Sequence, residues 1–153
     1  MSMTRRLMAI AMACLVGSLV VGAQAPPRQA GGESKTTWYF YTVKWGLQDE
    51  YLDLFQRNHY PILKAKEKAG RYLAVRTYVP EFHGDGRADW TFAVELVVPP
   101  NPPATPTDEE IIAKLYPDRA KFVREEQRRF EILTAHWDVP LNRLDLDARK
   151  PTR

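Results

Sequence analysis

The sequence predicts an α+β domain in the order β-α-β-β-α-β, with one antiparallel sheet and both helices on one of its faces. Three observations point there. Residues 36–45, "TTWYFYTVKW", are dense in aromatic and β-branched side chains, and Gly46 stops them. A stretch with helical spacing follows, and then two strand-like runs separated by a loop with two glycines. A proline-rich connector then leads into a second helical stretch.

The chain has 153 residues, room for one ordinary domain. Its start is not read as part of that domain. Arg5 and Arg6 precede an apolar run over 7–21, and small residues end at Ala23-Gln24-Ala25. This is the three-part pattern of a secretory signal, with cleavage expected after Ala25 and export to a periplasmic or extracellular location. The rival readings are a membrane anchor, a lipoprotein acylated at Cys14, and a twin-arginine route suggested by Arg5-Arg6. The apolar run is short for an anchor and holds Gly17 and Ser18. Acylation at Cys14 would leave only residues 7–13 as the apolar region.

Without residues 1–25, 20 basic residues face 19 acidic ones, a net charge of +1. That balance gives no electrostatic reason to expect nucleic acid as a partner, and no stable membrane span is expected once the signal is gone. The single cysteine leaves with the signal, and disulfide, thiol and thiolate-metal chemistry leave with it. Residues 26–35, "PPRQAGGESK", read as a disordered spacer, 36–147 as the folded domain, and 148–153 as a disordered tail.

Within the domain, "QDEYLDLFQRNHYPILKAKEKAG" places Tyr51, Phe55, His59 and Ile62 on one helical stripe. Asp49 and Glu50 suit its first turn, Lys66 and Lys68 its last, and Gly70 its end. Residues 71–80 and 89–99 are the second and third strands, with "EFHGDGRA" as the hairpin loop. Thr107 caps a helix led by three acids, and Pro117 interrupts it. A longer helix is expected from Asp118, carrying Phe122, Glu126, Phe130, Leu133 and Trp137 on one face and ending at Pro140. "LNRLDL", 141–146, would then be a short edge strand.

Strand alternation yields two faces. One carries Trp90, Phe92, Val94, Leu96 and Val98 with Leu73, Val75 and Val79. The other carries Trp38, Phe40 and Thr42 with Tyr72, Ala74, Arg76 and Tyr78 and with Ala93 and Glu95. Neither face is composed like a solvent face. Two helices can hide only one, and a second copy of the same sheet is the simplest cover for the other. A homodimer is therefore expected.

The β-α-β-β-α-β order, the aromatic first strand, the His-x-Pro helix and the small size resemble the dimeric α+β barrel superfamily. That group includes antibiotic-biosynthesis-monooxygenase-like and NIPSNAP-like small proteins. Over about residues 36–146, the resemblance implies a ferredoxin-like fold and pairing through the sheets. It also raises an alternative function, a cofactor-independent or haem-dependent monooxygenase-like enzyme acting on a planar hydrophobic substrate. The Asn, Trp and His of the haem-degrading members have no one-to-one counterparts here, so no catalytic residue is carried over.

Two kinds of site are legible. His59 lies on the inward stripe, two residues before Pro61, whose ring disturbs the carbonyl of Arg57. It is the candidate general base or ligand to haem or a metal ion; the plainer reading is a hydrogen-bonded core histidine beside a helix bend. The second candidate is a ligand-binding set of Trp38, Phe40, Arg76, Tyr78 and Glu95, in which Arg76 and Glu95 pair if the hairpin register aligns them. Glu126, on the stripe of the last helix, could join that pair. His136 reads as a cap in the last helical turn, and His83 as part of a glycine loop with a weak cation-binding pattern. Tyr39, Tyr41, Trp45 and Trp90 could stack on a flat ligand, but aromatic strand residues are far more often core. With three scattered histidines and no phosphate-loop, nucleophile-elbow or haem-attachment motif, no metal site is expected and no cofactor can be named. The expected function is that of an exported dimer binding a small hydrophobic ligand; a protein-interaction module is a further alternative.

Overall fold

The computed structural model describes residues 32–81 and 89–150. The signal-like segment, most of the spacer and His83 lie outside them. The elements are β1 (Lys35–Val43), α1 (Gln48–Leu54), a π-helical turn (Phe55–His59), α2 (Tyr60–Lys68), β2 (Ala74–Tyr78), β3 (Phe92–Val98), α3 (Asp108–Leu115), α4 (Arg119–Glu131) and β4 (Leu133–Leu141). The sheet order is β2-β3-β1-β4 and every pairing is antiparallel. This is the ferredoxin-like arrangement of an α+β domain.

Local chemistry explains most boundaries. Gly46, at φ +81°, turns the chain out of β1, and the Leu47 N–H donates to Lys44 O across the turn at 3.1 Å. Gly70, at φ +77°, ends α2. Thr107 opens α3 with a reciprocal cap: Glu110 N–H donates to Thr107 Oγ1 at 3.2 Å, and Thr107 N–H to Glu110 Oε2 at 2.7 Å. β2 and β3 are shorter than the alternation suggests, although Leu73 N–H still donates to Val97 O at 2.7 Å and Thr91 N–H to Tyr41 O at 2.8 Å.

The second helix departs from expectation. It stops at Glu131, and residues expected to extend it form β4 instead. The stripe Phe130, Leu133, Trp137 fits helical spacing, but Thr134 and Val139 are β-branched and β1 has an open edge beside them. Pairing along β1 outweighs the local helical period. Pro140 lies within β4, which is an edge strand and tolerates a residue without an N–H. A slip in register at Thr42/Val43 lets Thr134 stand out of the ladder, its hydroxyl donating to Thr42 O at 3.2 Å. Residues 142–146 are not strand, and Leu144 and Leu146 are exposed.

The core fills the space between the inner sheet face and the first helix. Tyr41, Val43, Val75, Phe92, Val94 and Leu96 meet Tyr51, Leu54, Phe55 and Leu63, all buried. Ile62, Ile111 and Phe122 form a smaller cluster joining α2, α3 and α4. On the opposite sheet face, the register sets Trp38 beside Glu95, Glu95 beside Arg76, and Phe40 beside Ala93 and Trp137. Trp38, Phe40, Tyr78, Trp90 and Trp137 are only half-buried there. No helix among the described residues is long and apolar enough to cross a membrane.

Candidate functional site

Between the inner sheet face and the helices lies a cavity of about 220 Å³. β1 and β4 supply its aromatic floor. Tyr41 stacks on His136 at 4.4 Å between ring centroids and 7° between planes, and Tyr39 lies 6.5 Å from the same imidazole. His59, Leu63 and Lys66 enter from the first helix, Arg129 and Phe130 from α4, and Tyr72 from the approach to β2.

The π turn sets the position of His59. Tyr60 N–H donates to Phe55 O, five residues back, which adds one residue to that turn of helix. Pro61 has no N–H to give. The carbonyl of Arg57 that its ring disturbs is taken up by a side chain from α3's end. Tyr116 Oη donates to Arg57 O at 3.1 Å and to Asn58 O at 2.6 Å. Asn58 is itself buried, and its Nδ2 donates to Glu125 Oε2 at 3.0 Å. Consecutive carboxylates of α4 therefore hold consecutive residues of the turn, because His59 Nδ1 lies 3.5 Å from Glu126 Oε2.

Glu126 also takes a bidentate contact from Arg129, at 2.9 and 2.8 Å. Burial alone would raise the Glu126 carboxyl, but His59 and Arg129 outweigh it and hold it at about 2. Glu126 thus sits on the helix side of the sheet, not with Arg76 and Glu95. The Arg129 guanidinium also lies beside the buried Tyr51 Oη. Burial pushes the Tyr41 and Tyr51 phenols far up and raises Tyr39, so all three stay protonated near neutral pH. Lys66 Nζ is 2.5 Å from Asp108 Oδ2, and Arg71 Nη1 is 2.6 Å from Asp108 Oδ1. Lys66 Nζ lies 5.7 Å from the centre of the Tyr72 ring.

His59 therefore lines the cavity, whereas Trp38, Phe40, Arg76, Tyr78 and Glu95 gather on the other side of the sheet. There Arg76 Nη1 meets Glu95 Oε2 at 3.0 Å, Tyr78 Oη donates to the same oxygen at 2.8 Å, and Trp38 stacks on Tyr78 at 4.8 Å. Phe40 stacks on Trp137 at 5.3 Å and meets Trp90 edge-on at 5.6 Å. The two arginine pairings and the π turn make separate sites, one on each face. Among the aromatics read as stacking candidates, Tyr39 and Tyr41 line the cavity, Trp90 lies on the outer face, and Trp45 is exposed in the turn after β1.

His136 is not a helix cap. It stands in β4 with Nδ1 3.0 Å from Phe40 O and Nε2 3.3 Å from Asp138 Oδ1. Sequence reasoning missed it, with Lys66, Tyr72 and Arg129, as a cavity residue. Only the alternation from Ala135 to Val139 hinted at a strand there. Among the described residues, no group of three His, Cys, Asp or Glu could hold a metal ion.

No protein-family model matches the chain, and no curated protein matches it. Solved structures similar to it include a NIPSNAP family protein from Agrobacterium tumefaciens, at 14% identity over 74% of this chain and 89% of that one, TM-score 0.44. A protein of Arabidopsis thaliana solved in solution gives 10% identity, 76% and 93% coverage, and TM-score 0.47. A dimeric ferredoxin-like protein of unknown function from Bacteroides fragilis gives 11%, 72% and 97%, and 0.40. The fold of this chain, by its own strand order, is ferredoxin-like.

Proposed function

We propose that the chain is an exported, dimeric α+β protein that binds a small, largely hydrophobic ligand between its sheet and its helices. The cavity over Tyr39, Tyr41 and His136 carries this reading. It is concave, aromatic, and joined by a few convergent polar groups, the usual make-up of a ligand site. The signal-like segment supports export. The half-buried aromatic outer face supports association with a second copy. In such a dimer Trp38, Phe40, Arg76, Tyr78 and Glu95 would face the other sheet, and any ligand they contact would lie between the two copies.

A second reading makes the site an enzyme, with His59 as general base. The observation favouring it is the contact of His59 with Glu126, an ionised carboxylate able to orient the imidazole. Native mass spectrometry of the secreted protein tests the first reading. It should give twice the subunit mass, shortened at the N-terminus, with small-molecule adducts that survive gentle ionisation. A bare, uncleaved monomer would overturn it. His59→Ala separates the two readings, because binding should persist and only turnover depend on the imidazole.

A further inference from the structure

We infer that the ligand of the inner cavity is a small monoanionic acid, a carboxylate on a body about the size of one aromatic ring, with its charged end toward Lys66 and its apolar body over Tyr41 and His136. This rests on the cavity being the ligand site and names what that site selects.

Charge supports it first. The cavity wall carries two cations, Lys66 and Arg129, together with two imidazoles and three phenols, and no carboxylate is among its described lining residues. The two cations are not equally committed. Arg129 is matched by Glu126 in a bidentate pair, whereas Asp108 serves both Lys66 and Arg71. Two cations sharing one carboxylate leave a local positive surplus on the Lys66 side of the cavity, while Asp138, 3.3 Å from His136 Nε2, puts a negative charge beside His136. The Lys66 side chain is almost wholly buried, at 10% exposure, so water screens that surplus poorly. Protonated Tyr39 and Tyr41 add O–H donors, which suit an acceptor on the ligand.

Size and shape support it next. At about 220 Å³ the space falls below the roughly 300–1,000 Å³ of sites for drug-sized molecules. That favours one ring over a polycyclic body. Tyr41 and His136, stacked on each other with their planes 7° apart, form an aromatic wall against which a single ring can pack.

Benzoate and its neutral isostere benzamide test this by calorimetric titration of the purified chain. Benzoate should bind at least tenfold more tightly. Lys66→Met should reduce that preference to within about twofold, and Lys66→Arg should keep it. Asp108→Asn, at a half-exposed position, should strengthen benzoate binding and leave benzamide unchanged. Benzamide binding as tightly as benzoate would overturn the assignment of charge while leaving the cavity as a ligand site. Binding of neither would overturn both. A benzoate preference untouched by Lys66→Met and Asp108→Asn would also overturn the inference.

Discussion

On the outer face of the sheet, Arg76, Tyr78 and Glu95 close upon one another, and the rings around them stack in pairs. On the inner face, Lys66 shares its carboxylate partner, Asp108, with Arg71, and rings line an open space instead of filling it. Both faces are rich in aromatics with a few charges, so composition does not separate them. The difference is whether the polar groups are satisfied within the subunit. A face whose charges are paired and whose rings are half-exposed suits a broad apolar partner. A hollow with an excess cation suits a small anion. The same strands serve both, because alternation sends Tyr39 and Tyr41 one way and Trp38 and Phe40 the other.

The largest effect should follow from breaking the outer face. Phe40→Glu puts an unpaired charge among Trp38, Trp90 and Trp137, and an interface cannot bury that charge cheaply. The dimer dissociation constant should rise on the order of a thousandfold, about 4 kcal/mol, with benzoate affinity per subunit kept. Light scattering across a dilution series reads the first and calorimetry the second.

Next comes the charged wall of the inner face. Arg129→Met would leave Glu126 buried without its main partner and should lower unfolding free energy by about 3–5 kcal/mol in urea titrations. The same carboxyl gives the wild type an acid dependence. Its folded-state value of about 2 lies below the usual carboxylate value near ~4.3, so its stabilisation is complete above about pH 5 and is lost as pH falls toward 2. Glu126→Gln should flatten that part of the stability profile.

A smaller effect sharpens the account of how His59 is held. Tyr116→Phe removes the donor from Arg57 O and Asn58 O and should cost about 1–2 kcal/mol. It should also broaden the His59 ring resonances, while Trp38 and Trp137 on the far face stay unchanged. Least of all, Arg128→Ala should leave the unfolding midpoint unmoved, because its pair with Glu50 is solvent-exposed.

Much of this fold was legible in the sequence because its signals were local. Gly46, Gly70 and Thr107 act through their own backbone conformation or cap, and the strand alternation of 38–43 and 92–98 needs no knowledge of neighbours. The π turn was visible only as a disturbance at Pro61. What compensates it, Tyr116, comes from a residue 59 positions from Arg57. β4 was misread because the spacing of Phe130, Leu133 and Trp137 fits a helix, and only the open edge of β1 outweighs it. That misreading hid His136, and with it half of the cavity floor. The Arg76–Glu95 pair needed only the register of one hairpin; the inner site needs five elements brought together.

The most direct test of the division between the faces is a two-dimensional NMR titration of the purified chain with benzoate. Shifts confined to Tyr39, Tyr41, Lys66, Tyr72 and His136, with the indole N–H signals of Trp38, Trp90 and Trp137 unmoved, are the predicted result. Shifts at those three indoles with a silent inner face would contradict it.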